Sequence, residues 1–225
     1  MKIRANFDEA VALDTETMDW SPSPMAGVER RMLDRIGGEI ARATSIVRYA
    51  HGSHFSEHTH SGGEEFIVLE GVFQDEHDDY PAGTYVRNPV GTRHVPRSDD
   101  GCTIFVKLWQ FDPEDQEQFS VDLNSIGLSD MSDTPGIARA VLSDRTNELV
   151  VLESWGADVE RHLGPDGGAE LLVLAGQISF QGEQFAKHGW IRIPAGESMS
   201  VRAGEEGARV WIKSRHLKNV RAPSN

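Results

Sequence analysis

Two stretches of this chain repeat one another at a nearly constant distance, and that repetition limits the fold more than any other feature. LEG at 69–71 matches LAG at 174–176, an offset of 105 residues. Pro89 and Gly91 match Pro194 and Gly196 at the same offset, and FVKL at 105–108 matches WIKS at 211–214 with an offset of 106. Matches in one order at nearly one spacing are most simply an internal duplication. The period is too long for a solenoid repeat, so it implies two copies of one small domain. A chain of 225 residues has room for two such domains.

The residues within each copy favour strands. ATSIVRYA (43–50), EEFIVLEGVF (64–73), TYVRNP (84–89) and CTIFVKLWQF (102–111) are short, rich in β-branched and aromatic residues, and bounded by Gly, Pro, Asp or Ser. ELVVLES (148–154), AELLVLAGQISF (169–180), WIRIP (190–194) and ARVWIKS (208–214) repeat the pattern. Long stretches of helical period are absent. The chain therefore reads as all-β, with two sandwich- or barrel-like domains. The acidic DPEDQEQ stretch at 112–118 interrupts the first of them. The expected boundaries are a first domain at 1–115, a connector at 116–145 and a second domain at 146–225.

Three of the nine histidines form a pattern that carries chemistry. His58 and His60 are two apart, and in a strand such residues point the same way, about 6.5–7 Å apart. Glu64 follows Ser61-Gly62-Gly63, whose glycines permit a bend, and Glu65 is a competing carboxylate beside it. His94 comes from another strand, just after the turn Pro89-Val90-Gly91. Three imidazoles and one carboxylate suit zinc, iron(II), manganese, nickel or copper better than calcium or magnesium.

This first region resembles the cupin superfamily, whose two motifs are written G(X)5HXH(X)3-4E(X)6G and G(X)5PXG(X)2H(X)3N. Gly52, His58, His60, Glu64, Gly71, Gly83, Pro89, Gly91 and His94 stand at the marked positions, and only the last differs, with Ser98 in place of Asn. Counting back from Gly71 selects Glu64 over Glu65. The resemblance implies a duplicated double-stranded β-helix, a jelly-roll bicupin. It also implies one metal site formed by His58, His60, Glu64 and His94. The second copy is degraded: His162 stands for the first ligand and Glu170, less closely, for the carboxylate. Gly164 or Pro165 replaces the second histidine and Met199 the last.

Residues 27–94 are more closely similar to the cupin domain of ChrR-type anti-sigma factors, through HTHSGGEEFIVLEG and DEHDDYPAGTYVRNP, with GCTIFVKL at 101–108 in support. In that family the cupin is a zinc-binding sensor of oxidative signals. The resemblance implies zinc as the first candidate metal, with Fe(II), Mn or Ni as others. It also implies a protein partner, a sigma factor or other regulator, or a small-molecule ligand. The family's sigma-inhibiting module is a separate N-terminal helical domain with its own His/Cys zinc site. It is not expected here, because residues 1–26 alone precede the similar segment and the chain has one cysteine. The alternative reading is an Fe(II)-dependent cupin dioxygenase acting on a small ketone or β-diketone, since similar cupins with three His and one Glu do this.

Arg48, Tyr85, Arg87, Cys102 and Lys107 lie on strands near the motifs and are the candidate pocket residues. His51, His54, His77, His188 and His216 read as solvated. A formal net charge of -14 disfavours nucleic acid, whose binding needs Lys and Arg to displace counterions. One cysteine excludes an intrachain disulfide. No apolar run reaches the roughly 20 residues of a membrane span, and no apolar signal segment opens the chain. Cytoplasmic residence and a homodimer are the defaults.

Overall fold

The computed structural model describes residues 1–223. Among them there is no α-helix, one 3-10 turn at Thr15–Thr17 and otherwise strands, turns and loops. The all-β expectation holds. Two units emerge: residues 1–5 with 19–126 and 221–223, and residues 6–18 with 127–220.

The main sheet of the first unit runs Lys2–Ile3, Val28–Gly37, Ala41–Tyr49, Cys102–Leu108, Glu64–Gln74, Thr84–Asn88 and Phe119–Asp122. All pairings in it are antiparallel. A short second ribbon pairs His58–Thr59 with Arg93–His94 and sets His58 opposite His94. Alternation along the 64–74 strand puts Glu64, Phe66 and Val68 on one face and Glu65 and Ile67 on the other. The first face holds the core of Phe66, Val68, Val86, Ile104 and Val106, closed by Phe73 and Tyr80.

The second unit repeats this order with Ile137–Arg145, Glu148–Trp155, Met199–Ser214, Ala169–Phe180, Trp190–Ile193 and Val11–Leu13. Its core of Leu171, Val173, Ile191, Val210 and Ile212 matches the first in position. The expected boundaries differ from these units in two ways. The N-terminal strand Val11–Leu13 pairs with Trp190–Ile193 and so belongs to the second unit. Strand Phe119–Asp122 pairs with Thr84–Asn88, so the expected connector contributes a strand to the first unit. In both units the strand closing this edge comes from outside the repeat, and for that reason the repeat itself did not reveal it.

Two histidines expected in solvent are buried. His188 is 6% exposed, and its Nδ1 lies 2.8 Å from Glu16 Oε1. Its carbonyl accepts the Thr15 hydroxyl at 2.9 Å, latching the N-terminal segment to the second unit. His216 Nε2 lies 3.1 Å from the buried Glu170. His51, His54 and His77 are exposed, as expected.

Candidate metal centre

His58, His60, Glu64 and His94 each offer a donor atom, and the four atoms lie within 4.8 Å of one another. His60 Nε2 is 3.3 Å from His94 Nε2 and 3.2 Å from Glu64 Oε2, and His94 Nε2 is 3.7 Å from the same oxygen. Ligands about 2.0–2.2 Å from a common ion stand roughly this far apart. His60, Glu64 and His94 are buried, and His58 is exposed.

The segment bends as its glycines allow. Gly63 has φ +75°, and a side chain on Gly62 would place Cβ 2.1 Å from Trp109 Cγ. The Trp109 and Phe111 amides donate to the carbonyls of Gly63 and Gly62 at 2.9 and 3.2 Å, bracing the loop from the end of the 102–108 strand.

The outward nitrogens decide whether the residues fit an ion. Thr92 Oγ1 donates to the Pro89 carbonyl at 2.7 Å, so it accepts from His60 Nδ1 at 2.9 Å. His94 Nδ1 faces Asp75 Oδ2 at 3.3 Å. With His60 and His94 neutral, both Nε2 atoms therefore carry bare lone pairs, which point at each other and at a carboxylate. Converging acceptors without a proton call for a cation, and these two imidazoles have the outer partners that metal-bound histidines have. The donor set fits a divalent ion. Glu64 is also held from outside, by Asn88 Nδ2 at 3.4 Å, and Asn88 Oδ1 accepts from Gln118 at 3.1 Å.

Electrostatics follow from this packing. Burial alone raises the Glu64 carboxyl, but the surrounding His60, His94 and His58 overcome it and hold it down at about 2. Burial and the neighbouring imidazoles push His58 below its ordinary value. For His94 burial acts downward, but Asp75 and Glu64 prevail and raise it. Asp75 is itself lowered against burial by His94 and by the amides of His77 and Asp78.

The expected pocket residues do not gather at this centre. Arg48 is on the outer face, paired with Glu29 at 2.5 Å and stacked 4.3 Å over Trp20. Tyr85, Arg87 and Lys107 are buried, but on the face opposite Glu64. There the Tyr85 hydroxyl donates to Glu65 at 2.7 Å, and Arg87 and Lys107 flank Glu65 in register. One residue of strand parity separates them from the centre. Cys102 faces the core, six residues along its strand from Leu108, which stands opposite Glu64. Burial pushes its thiol up to about 11. The residues that sequence reasoning missed are Asp75, Asn88, Thr92 and Gln118. The need of a ligating imidazole for an outward acceptor was a signal, but spacing along the chain does not say which residue supplies it.

Among the described residues the second unit has no such group. Register pairs Ala169 with Ile193 and Ser214, as it pairs Glu64 with Asn88 and Leu108. Ala169 is therefore the counterpart of Glu64, and Glu170 that of Glu65, a correction to the expected alignment. Glu170 stands between Arg192 and Lys213 on the opposite face and accepts Trp190 Nε1 at 3.3 Å. The His162 side chain is 64% exposed and pairs with Glu160.

Comparison with solved structures agrees with the fold. A provisionally assigned dioxygenase from Nostoc punctiforme has TM-score 0.76 and 16% identity, with 97% of this chain and 87% of that chain covered. A cupin 2 conserved barrel protein from Leptotrichia buccalis has TM-score 0.59 and 14% identity, covering 86% and 91%. The pirin YhhW from Escherichia coli, solved with nickel(II), has TM-score 0.64 and 11% identity, covering 91% and 98%. No curated protein is significantly similar to this chain in sequence. Among the described residues no helix is long and apolar enough to cross a membrane. The family described as ChrR Cupin-like domain matches residues 8–112, and with the barrel and its histidines in place this part of the chain is a ChrR-like cupin domain.

Proposed function

We propose that the first barrel is a metal-dependent regulatory cupin that holds one divalent ion, zinc foremost, and senses an oxidant or small ligand at it. What supports the reading is the fixing of the outer nitrogens of His60 and His94 while the four inner donors converge. His58 is the exposed member of the donor set and marks the side from which a small molecule would approach a bound ion, the other three being buried. A bound ion supplies Lewis acidity and a site for an anionic or oxygen donor. The chain's own residues set its orientation: Thr92 and Asp75 hold two rings, and Asn88 holds the carboxylate. The proposal includes a protein partner, a sigma factor or other regulator, along with cytoplasmic residence and a homodimer.

A second reading, an Fe(II)-dependent dioxygenase of a small ketone or β-diketone, draws on the exposed His58 side of the same donor set. Fe, Mn and Ni belong to the donor chemistry as zinc does. Elemental analysis of protein purified without added metal is expected to find one ion per chain, lost in His58→Ala and His94→Ala. Unchanged metal content in both variants refutes the site. Anaerobic Fe(II) loading followed by oxygen uptake with β-diketones and aryl ketones separates the readings, because turnover rejects a purely sensory role.

A further inference from the structure

Both units place an arginine at one equivalent position, but only the second gives it a carboxylate. Register fixes the equivalence. Arg30 stands opposite Val47, Val47 opposite Ile104, and Ile104 opposite Val68. In the second unit Arg139 stands opposite Glu153, Glu153 opposite Val210, and Val210 opposite Val173. Each arginine strand then breaks register two residues on, between Met32 and Asp34 and between Val141 and Ser143.

Cross-strand partners share a sheet face. Val28 and Val47 belong to the core of the first unit, so Arg30 between them in register lies on the inner face, the face of Glu64. Val151 and Trp155 place Glu153 on the matching inner face of the second unit. Glu153 is 0% exposed there, accepting from Arg139 Nε at 2.8 Å and Trp155 Nε1 at 2.6 Å, with Arg161 Nε at 3.5 Å. In the first unit an apolar valine takes the carboxylate's place. Arg30 is half-buried, and its Nε is buried without a hydrogen-bond partner among the described residues. A guanidinium donor buried in this way is costly unless something accepts from it. Glu64 with three neutral imidazoles and a divalent ion carries a net single positive charge, so the inner face as a whole favours an anion.

We propose that Arg30 is an anion-recognising residue on the inner face of the first barrel, taking the carboxylate of a small organic acid. A guanidinium fork matches a carboxylate in geometry and charge. The inference goes beyond the proposed function by naming a ligand class for the first barrel's inner face. Val47 is the specificity feature that distinguishes the two barrels, because it leaves Arg30 uncompensated.

The test is calorimetric titration of metal-loaded protein with malonate, succinate and benzoate, against malonamide as the neutral control. Wild type is expected to bind at least one acid and not the amide. Arg30→Gln weakens that binding at least about tenfold, as loss of a charge-assisted pair implies, and Arg30→Lys restores part of it. Metal content stays unchanged in both. Val47→Glu recreates the Arg139–Glu153 pairing and is expected to abolish acid binding with metal retained. Failure of wild type to bind any acid, or equal affinity in Arg30→Gln, overturns the proposal. Absence of metal from wild type overturns the proposed function instead. Acid binding that depends on Arg30 in chelator-treated protein would still support the subsite.

Discussion

Asp75→Asn is the most discriminating single change at the metal centre. It replaces one carboxylate oxygen by an amide nitrogen of nearly equal size. Asp75 Oδ1 accepts the His77 and Asp78 amides at 2.8 and 3.0 Å, and the Tyr80 hydroxyl at 3.4 Å. The amide oxygen of Asn keeps these bonds, so the 75–78 turn survives. The new NH2 then faces His94 Nδ1 across 3.3 Å, where a carboxylate oxygen had been. Two donors cannot bond, so the imidazole proton moves to Nε2, the nitrogen aimed at the ion. Loss of such an outer partner costs about 10–100-fold in metal affinity, or about 1.4–2.8 kcal/mol. The assay is zinc or cobalt titration against a competing chromophoric chelator, with the melting temperature of metal-free protein as the control for folding. Unchanged affinity in Asp75→Asn, with metal lost in His94→Ala, would refute the argument that Asp75 sets the tautomer of His94.

In the metal-free protein Glu64 and His94 stabilise the fold in opposite pH directions, and His58, held below its ordinary value, opposes His94 below about pH 6.5. Glu64 is depressed from 4.5 to about 2, so its contribution is complete above 4.5 and is lost as pH falls toward 2. His94 is raised from 6.5, so its contribution is complete below 6.5 and is lost as pH rises through its folded value. Urea unfolding should show a flatter acid limb in Glu64→Gln; a parallel curve contradicts the linkage. Glu65→Ala should cost about 3–5 kcal/mol in urea, because it removes the carboxylate flanked by buried Arg87 and Lys107. It should keep one ion per chain, and loss of the ion would mean that the two neighbouring carboxylates share the site. Gly62→Ala drives Cβ into Trp109 and should destabilise by about 1–3 kcal/mol and weaken metal binding; a neutral effect shows that the brace yields. His162→Ala should leave metal stoichiometry unchanged, since its side chain is 64% exposed, and a fall would return the second unit to consideration.

The sequence by itself determined the duplication, the all-β class and the four converging donors. Periodicity and spacing are local quantities, and HxH with a glycine bend before Glu64 states its geometry in the chain. It also separated Glu64 from Glu65 once Gly71 was used as a marker. Tertiary structure alone decided what lies behind each donor. Asp75 reaches His94 and Gln118 reaches Asn88 only after distant strands meet. Strand parity moved Tyr85, Arg87 and Lys107 to the opposite face, because a shift of one residue reverses every side chain. The N-terminal strand at 11–13 joins the second unit through backbone hydrogen bonds, which carry no residue signature. Arg30 and Arg139 look alike in sequence, and only the cross-strand partner, valine in one barrel and glutamate in the other, tells them apart.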